Sequence, residues 1–472
     1  MMGEQLGRQD RLFYEFCLDD RVPADHLVRR LDAVLDLSWL RTELEPYYSH
    51  TGRPSIDPEL MLRMLIVGYV FAIRSERQLC SEVQVNLAYR WFCGLTIEDR
   101  IPDHSVFSRA RHERFREADV LRRMFESVVA GCIGAGLVGG ESFSLDASLI
   151  RADVNQVKRV PGDRADALAD RGRASRAVRE YFDILDGDIL DGDGADAIEE
   201  GGGREAGGRE KNAPKALSLT DPLAAWVARQ RVRAFFAYDA NYLIDNRLGV
   251  IVDAEGTRAN RIEENRVALA MVARVEERFD LKPKRLAADT AYGSGKTLKS
   301  LTDRGIEPHI PVSDKSTRDD GSFSRADFTY DAEHDSYTCP GGKTLKTTGR
   351  VHEGRTLYYR ARKSDCEACS LKPRCCPKAP SRRIPRDIDE DVRDHVRALA
   401  HTEAFEISRR ERKKVEMAFA HLKRILKLDR LRLRGLSGAR DEILLAATAQ
   451  NLRKLVRYAR PAPPNIAIAC AS

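Results

Sequence analysis

The sequence predicts an α/β protein with an all-α N-terminal domain and a cysteine-containing insertion. Residues 10 to about 135 repeat apolar side chains at steps of three and four, which is helical spacing. From about 141 onward, strand-like runs alternate with helical ones. Five of the ten cysteines lie between 339 and 376. The predicted boundaries are 1–135 for the helical domain, 136–311 with 396–460 for the α/β domain, 156–217 for a first insertion, 312–395 for the cysteine-rich insertion and 461–472 for a tail.

The distribution of charge indicates a polyanionic partner more strongly than the net charge does. The 472 residues include 79 Lys and Arg against 73 Asp and Glu, a formal charge of +6. Bases crowd into 409–434 and acids into 183–210, and such a basic stripe is typical of a surface that meets nucleic acid. The longest apolar run contains Arg63 and is shorter than the ~20 residues that a bilayer requires. The cysteines do not form a secreted disulfide framework, so we expect a cytoplasmic location.

The N-terminal domain is predicted to be a set of short helices. Asp57 followed by proline is a helix N-cap with proline in the first turn. A second helix begins after Pro102, with Asp103 or Ser105 as its cap. Arginines along this helix, including Arg109 and Arg111, suit a helix-turn-helix-like DNA-binding module. A helical domain for dimerisation explains the same pattern equally well.

The α/β domain is predicted from alternating strands and helices. Residues 141–155 alternate apolar and polar side chains, so Asp146 falls in the middle of a half-buried strand. Two strands joined by a turn at 245–247 follow, then a helix over about 258–279. "KRLAADT" is the fourth predicted strand, ending at Asp289, and "IEPHIPV" is the fifth. The intervening segment 156–217 is acidic and glycine-rich, which predicts disorder.

The glycines after this fourth strand invite comparison with a phosphate-binding loop. In "RLAADTAYGSGKTLKSL" (285–301), the first glycine of G-x-x-x-x-G-K-[ST] would have to stand at Thr290. Gly293 is out of register, so a nucleotide loop is not predicted. Asp289, the acid before the glycines, is the better candidate for chemistry.

Three carboxylates on separate elements form the candidate site. Asp146 and Asp289 belong to strands that can lie side by side, and Glu416 belongs to a strongly periodic helix with Val415 and Phe419 on its core-facing stripe. Clustered carboxylates repel one another and raise each other's pKa values. Such a cluster is expected to bind hard divalent cations, Mg²⁺ or Mn²⁺.

The chain resembles the DDE transposases of bacterial insertion sequences. The resemblance lies in "TGRPSIDPELMLRMLIVGYV", "PDHSVFSRAR", "SLDASLIRADVN", "LAADTAYGS" and "RRERKKVEMAFAHLKRIL". Within the insertion-sequence-5-like superfamily it is closest to the insertion sequence 1182 family. These stretches span most of the chain except 156–217 and the tail.

The resemblance implies an RNase H-like mixed-sheet catalytic domain with Asp146, Asp289 and Glu416 as its metal-binding triad. It implies DNA cleavage and strand transfer of an insertion sequence by two-metal-ion chemistry. The implied partners are the terminal inverted repeats and target DNA, held by a homodimer in the bacterial cytoplasm at the nucleoid. The wider group often shows Tyr-x₂-Arg-x₃-Glu-x₆-Lys around the third acid. Arg412, Glu416 and Lys423 fit this spacing, while Arg409 stands where tyrosine would be.

On a helix, Arg412, Glu416 and Lys423 fall within about 40° of one another. One face could therefore hold both metal and DNA phosphate, and Arg409 is expected to add a further DNA contact.

The cysteine cluster is a candidate structural zinc site. Cys339, Cys366 and Cys369, with Cys375 or Cys376, could supply four thiolates, of which one pair has C-x₂-C spacing. Reduced structural thiols or a redox pair explain the same residues.

Three other functions remain open from the sequence. One is a DNA-binding protein that descends from a transposase and no longer cuts. Another is a metal-dependent nuclease or resolvase that hydrolyses DNA without joining it. The third is a zinc-dependent regulator whose DNA binding depends on Cys366 and Cys369 and not on the three acids.

Overall fold

The structure, a computed structural model, describes residues 16–49, 51, 55–187, 214–229, 232–312, 321–352 and 354–458. Within these ranges the chain forms a helical N-terminal region, a mixed α/β unit and a second antiparallel sheet. The predicted helical N-terminal region and mixed sheet are therefore confirmed. No helix in these ranges is long and apolar enough to cross a membrane.

The N-terminal region begins its helices at the predicted caps. The Asp57 carboxylate accepts a hydrogen bond from the Glu59 N–H at 3.0 Å. Of the two cap candidates after Pro102, the structure uses Asp103, which accepts from the Ser105 N–H at 2.9 Å. The helices are α1 (Leu18–Arg21), α2 (Leu27–Asp32), α3 (Leu40–Leu44), α4 (Pro58–Val70), α5 (Glu76–Val85), α6 (Leu87–Phe92), α7 (His104–His112), α8 (Arg114–Glu117) and α9 (Val120–Gly134).

The main sheet is mixed, and one of its strands was not predicted. Its strand order is β4-β5-β1-β7-β8, with β6 also paired to β5. β7 runs parallel to β1 and to β8, whereas β5 runs antiparallel to β1, β4 and β6. The unpredicted β4 makes the strand before Asp289 the fifth of this sheet in chain order. The elements of this part are β1 (Ser142–Arg151), β2 (Arg159–Val160), α10 (Arg176–Leu185), β3 (Leu217–Ser218), β4 (Ala225–Arg229), β5 (Val232–Asp245), β6 (Ile251–Arg258), α11 (Arg261–Phe279), β7 (Arg285–Ala287), α12 (Gly295–Asp303) and β8 (Glu307–His309).

The alternation of β1 separates two hydrophobic layers. Phe143 and Leu145 point to the face covered by α11 and α12, where they join one buried cluster. Ile150 points to the opposite face and joins a cluster shared with the N-terminal helices and the C-terminal helices. Asp146 has the same parity as Ile150, so the candidate site lies on the face that the C-terminal helices cover.

The first insertion differs from the prediction of disorder. Within 156–217, the structure forms β2, a 3₁₀ turn at Ala165–Ala167 and α10, and Ala177 and Val178 of α10 are buried. β2 pairs with β3 across the insertion. The prediction is therefore wrong for 156–187, because α10 has enough apolar residues on one side to bury. Residues 188–213, which hold most of the acidic glycine-rich text, lie outside the described residues.

The cysteine-rich insertion forms a second sheet where the sequence predicted irregular structure. Its strand order is β13-β12-β11-β10-β9, antiparallel throughout. The helix that follows, α15, already packs into the main α/β unit through Val396, so the insertion ends near 389 rather than 395. The elements are β9 (Thr329–Asp331), β10 (Ser336–Thr338), β11 (Thr344–His352), β12 (Thr356–Arg360), α13 (Lys363–Glu367), α14 (Lys372–Cys375), β13 (Arg383–Asp387) and α15 (Glu390–Leu399).

The basic C-terminal segment is two helices where one was predicted. α16 (Glu403–Glu411) and α17 (Lys413–Arg424) meet at Arg412, and α18 (Leu436–Tyr458) follows. The predicted core-facing stripe of α17 is confirmed, since Val415, Phe419 and Leu422 are buried.

Candidate active site

α17 lies directly over the face of the sheet that carries Asp146. Tyr242 of β5 pairs with Asp146 in the antiparallel register, so the two side chains share that face. The Phe419 ring of α17 stacks on the Tyr242 ring, with 4.7 Å between ring centroids and 14° between the ring planes. This contact fixes the height of α17 above the strand.

The junction between α16 and α17 is held at the start of β1 and β7. The Glu411 carboxylate accepts a hydrogen bond from the Ser142 hydroxyl at 3.0 Å. It also pairs with the Arg285 guanidinium at 3.2 Å. Because Ser142 and Arg285 are register partners on the two parallel strands, Glu411 ties the helices to both strands that lead to the aspartates.

Asp146 is a mostly buried carboxylate on β1. Its Oδ1 accepts a hydrogen bond from the Ala147 N–H at 2.9 Å. Burial raises its pKa from 3.8 to about 6, against the lowering effects of the Ala147 N–H and Arg412. The negative charges of Asp289 and Glu416 raise the pKa of Asp146 further. The three predicted acids therefore interact electrostatically at one site.

Asp289 reaches the site because β7 runs parallel to β1. Ser144 and Ala287 are register partners, and Asp146 and Asp289 each come two residues later. The Asp289 carboxylate accepts a hydrogen bond from the Ala291 N–H at 2.8 Å and caps the 3₁₀ turn Thr290–Tyr292. The glycines that follow belong to the next turn, as predicted, and Ser294 caps α12.

Arg412 bridges the carboxylates of the strand and the helix. One guanidinium nitrogen lies 3.9 Å from Asp146 Oδ2, and the other lies 3.3 Å from Glu416 Oε1. Glu416, in the first turn of α17, keeps 55% of its side chain exposed. Arg412 thus supplies positive charge between two acids that would otherwise repel.

Lys423 also faces the site. Its ammonium group donates a hydrogen bond to the Ser148 hydroxyl at 2.7 Å. Ser148 comes two residues after Asp146 on β1 and therefore points to the same face. Arg412, Glu416 and Lys423 accordingly lie along the side of α17 that meets β1.

The donor chemistry of the three acids fits Mg²⁺ or Mn²⁺, which prefer carboxylate oxygens. The pKa of Asp146 is raised first by burial and further by the charges of Asp289 and Glu416. In the described part of the chain, however, no three His, Cys, Asp or Glu side chains are already arranged to hold a metal ion. Arg412 occupies the space between Asp146 and Glu416, so binding of a cation there requires this guanidinium and the exposed Glu416 side chain to move.

The other predicted DNA contacts lie away from the acids. Arg409 is exposed on α16 and pairs with Glu406 at 3.4 Å. Arg109 is exposed in the last turn of α7. Arg111 is buried against Glu76, so its prediction as a DNA contact is wrong: the guanidinium forms an ion pair inside the helical region.

Two residues of the site were missed from the sequence. Ser148 could have been found, because it follows Asp146 at the two-residue period of a strand. The role of Glu411 could not be predicted from the sequence, because an acid in a basic helix is usually paired with a neighbouring base in solvent.

The cysteines cluster in the second sheet. Cys339 follows β10, Cys366 lies in α13, Cys369 follows it, and Cys375 ends α14. Cys376 is buried beside them.

Comparison with known proteins points to one class of protein. Residues 16–113 match the family model described as a transposase domain (DUF772), and residues 338–456 match the model described as a transposase DDE domain. Glu416 lies within the second match, whereas Asp146 and Asp289 lie outside both. The structure is also similar to a piggyBac transposase synaptic complex with hairpin DNA, at 9% identity and a TM-score of 0.30, over 92% of this chain and 78% of that chain. That likeness is too distant to carry an argument. No curated protein matches the chain.

The two domain matches support a transposase, the class of protein that moves a mobile genetic element. Within that class they support a DDE transposase.

Proposed function

We propose that the chain is the transposase of an insertion sequence of the insertion-sequence-5-like superfamily and the insertion sequence 1182 family. It cuts DNA at the ends of the element and joins the freed ends to target DNA. The proposal is supported by the placement of Asp146 on β1, Asp289 after the neighbouring β7 and Glu416 on α17, near enough for the charges of the other two acids to raise the pKa of Asp146. An RNase H-like catalytic domain is supported by the order β6-β5-β1-β7-β8, with β7 and β8 parallel to β1.

The three acids are the proposed ligands of Mg²⁺ or Mn²⁺. When bound, two such cations would activate an attacking oxygen and stabilise the departing one in phosphodiester displacement. Asp146 is ionised above a pH of about 6, and Asp289 is held by the Ala291 N–H. Glu416 is exposed and can turn toward the aspartates once Arg412 leaves it.

The basic residues beside the acids are the proposed phosphate contacts. Lys423 lies against β1 at Ser148, and Arg412 reaches both Asp146 and Glu416. A DNA strand that approaches the acids would bring its phosphates within reach of the Lys423 ammonium and the Arg412 guanidinium. Arg412 could then exchange a carboxylate for a phosphate, which it can bind with two hydrogen bonds.

We propose that the DNA partners are the terminal inverted repeats and target DNA, brought together by a homodimer at the bacterial nucleoid. The exposed Arg409 and Arg109 remain proposed contacts to this DNA, where their charge would add a salt-dependent, sequence-independent affinity.

The test is a cleavage and strand-transfer assay on DNA that carries the inverted repeats flanking the gene. Asp146→Asn, Asp289→Asn and Glu416→Gln should each abolish cutting in Mg²⁺ while DNA binding persists. Glu403→Gln, which removes an exposed acid in the first turn of α16, is the matched control and should cut normally. Full activity in any one triad variant would remove that residue from the site.

The same assay separates the alternatives. A wild-type protein that binds but never cuts would be a DNA-binding descendant of a transposase. One that cuts without joining would be a hydrolytic nuclease.

A further inference from the structure

Five thiols surround one small cavity in the second sheet. The cavity, of about 30 Å³, has room for a bound ion or a water molecule. Its lining combines the turn after β10 with the α13–α14 connection between β12 and β13. The cysteines that line it are Cys339, Cys366, Cys369, Cys375 and Cys376.

The turn at Cys339 presents its sulfur to a backbone donor. The Lys343 N–H points at the Cys339 sulfur at 3.3 Å. The turn is closed by the Cys339 N–H, which donates to the Lys343 carbonyl at 2.9 Å, and Gly342 supplies the left-handed backbone at φ 73°. The Arg382 N–H points likewise at the Cys366 sulfur at 3.5 Å. Backbone donors therefore hold these two sulfur atoms in place beside the cavity.

The sulfur atoms converge from both sides of the cavity. A Cβ placed on Gly341 would lie 3.6 Å from the Cys369 sulfur and 3.7 Å from the Cys339 sulfur. Cys366 shares a hydrogen bond with Cys376. Cys366 and Cys376 are both buried, whereas Cys375 is partly exposed.

The hydrophobic core of this sheet is small. Its buried cluster in the described residues consists of Phe328, Tyr337, Leu345, Tyr359, Ala361, Ile384 and two of the cysteines. Units with cores of this size usually require a disulfide or a metal for independent stability. The structure joins none of the described cysteines by a disulfide, and four thiolates are a ligand set that Zn²⁺ accepts.

We propose that Cys339, Cys366, Cys369 and Cys376 bind one structural Zn²⁺, which joins the β10–β11 turn to the α13–α14 connection. Cys376 replaces the Cys375 of the sequence prediction because it is the buried thiol that contacts Cys366. In the described residues these thiols lie around one cavity without forming a closed set of metal ligands. This assignment does not rest on the proposed transposase function.

The test uses the full-length protein purified without chelator. Elemental analysis should find about one zinc per chain. Replacement by Co²⁺ should give the intense sulfur-to-cobalt charge-transfer bands and tetrahedral ligand-field bands of a four-thiolate site. Both measurements use wild-type protein, so they do not depend on whether a cysteine variant folds. Absence of zinc together with absence of the charge-transfer bands would overturn the proposal.

Neighbouring cysteines supply the matched pair for the ligand assignment. Cys376→Ser should lose zinc or shift the Co²⁺ spectrum to three thiolates, whereas Cys375→Ser should leave both unchanged. Cys132→Ser, a buried cysteine of α9, controls for thiol loss elsewhere. If Cys375→Ser lost the metal and Cys376→Ser kept it, the assignment of Cys376 would be wrong. Since zinc content is measured without DNA, a failure here is distinguishable from a failure of strand transfer.

Discussion

Replacing Asp146 with asparagine should make the protein more stable at neutral pH while it abolishes activity. Burial and the nearby acids raise the Asp146 pKa from 3.8 to about 6. Holding this carboxylate ionised in the folded protein therefore costs up to about 3 kcal/mol relative to the unfolded chain. Asparagine keeps the acceptor oxygen for the Ala147 N–H and removes the charge, so it should recover much of that free energy.

The sign of the pH dependence follows from the direction of the shift. Because the folded protein binds the Asp146 proton more tightly than the unfolded chain, wild-type stability falls as pH rises from 3.8 to about 6. The stability gain of Asp146→Asn should be about 3 kcal/mol near pH 8, about half of that near pH 5, and absent below about pH 3.8.

The assay is urea unfolding of wild type and Asp146→Asn at these pH values without divalent cations. Added Mg²⁺ should stabilise the wild type and leave the variant unchanged, because a ligand stabilises only the state that binds it. Asp245→Asn is the control. Asp245 is buried in the same sheet and accepts hydrogen bonds from the N–H groups of Gly139, Gly140 and Arg247, so its replacement should destabilise at every pH. A variant at Asp146 that is no more stable than wild type near pH 8 would refute the reasoning.

Three further substitutions test the placement of α17 and of the N-terminal arginines. Phe419→Ala should lower the free energy of unfolding by about 3–5 kcal/mol because it removes a buried ring, whereas exposed Met417→Ala should change it by less than about 0.5 kcal/mol; equal effects in urea unfolding would contradict the packing of α17. Lys423→Met should weaken DNA binding and reduce the slope of log affinity against log salt by about 1, and a change in slope as large for exposed Arg424→Met would refute a specific role. Arg111→Met should cost about 1.5–3 kcal/mol of stability, through its lost ion pair, with unchanged DNA affinity of the folded protein; a loss of DNA affinity without a loss of stability would restore the original prediction.

Local periodicity was sufficient to predict the elements that carry the acids. The two-residue period around Asp146 predicts a strand with one buried face. The apolar stripe through Val415 and Phe419 predicts a helix with one buried face. Neither period indicates which strands pair with one another or in which direction they run. The parallel pairing of β1 and β7, which aligns Asp146 with Asp289, is set by long-range contacts; the sequence allowed the two strands to lie side by side but did not predict their relative direction.

The errors have identifiable physical causes. Arg111 follows Phe107 by four residues, so both lie on the buried face of α7; the spacing was available and the arginine was nonetheless assigned to the surface by its charge. The second sheet was missed because β9 and β10 are only three residues long and the nine-residue β11 has only two apolar side chains, Leu345 and Val351, so none of the three shows an apolar–polar alternation. The helix is interrupted at Arg412 without a glycine or proline that would have predicted the interruption. The interruption lies next to Glu411, which contacts two strands.

The most direct measurement of a shared metal site is iron-directed cleavage of the polypeptide. Fe²⁺ bound in place of Mg²⁺ reduces added hydrogen peroxide to a hydroxyl radical and hydroxide, ascorbate returns the Fe³⁺ to Fe²⁺, and the radicals cut the backbone next to the ion. The account predicts cuts near Asp146, Asp289 and Glu416 in the same wild-type sample, all suppressed by excess Mg²⁺. Cuts near one of these residues alone, or cuts that Mg²⁺ does not suppress, would contradict it.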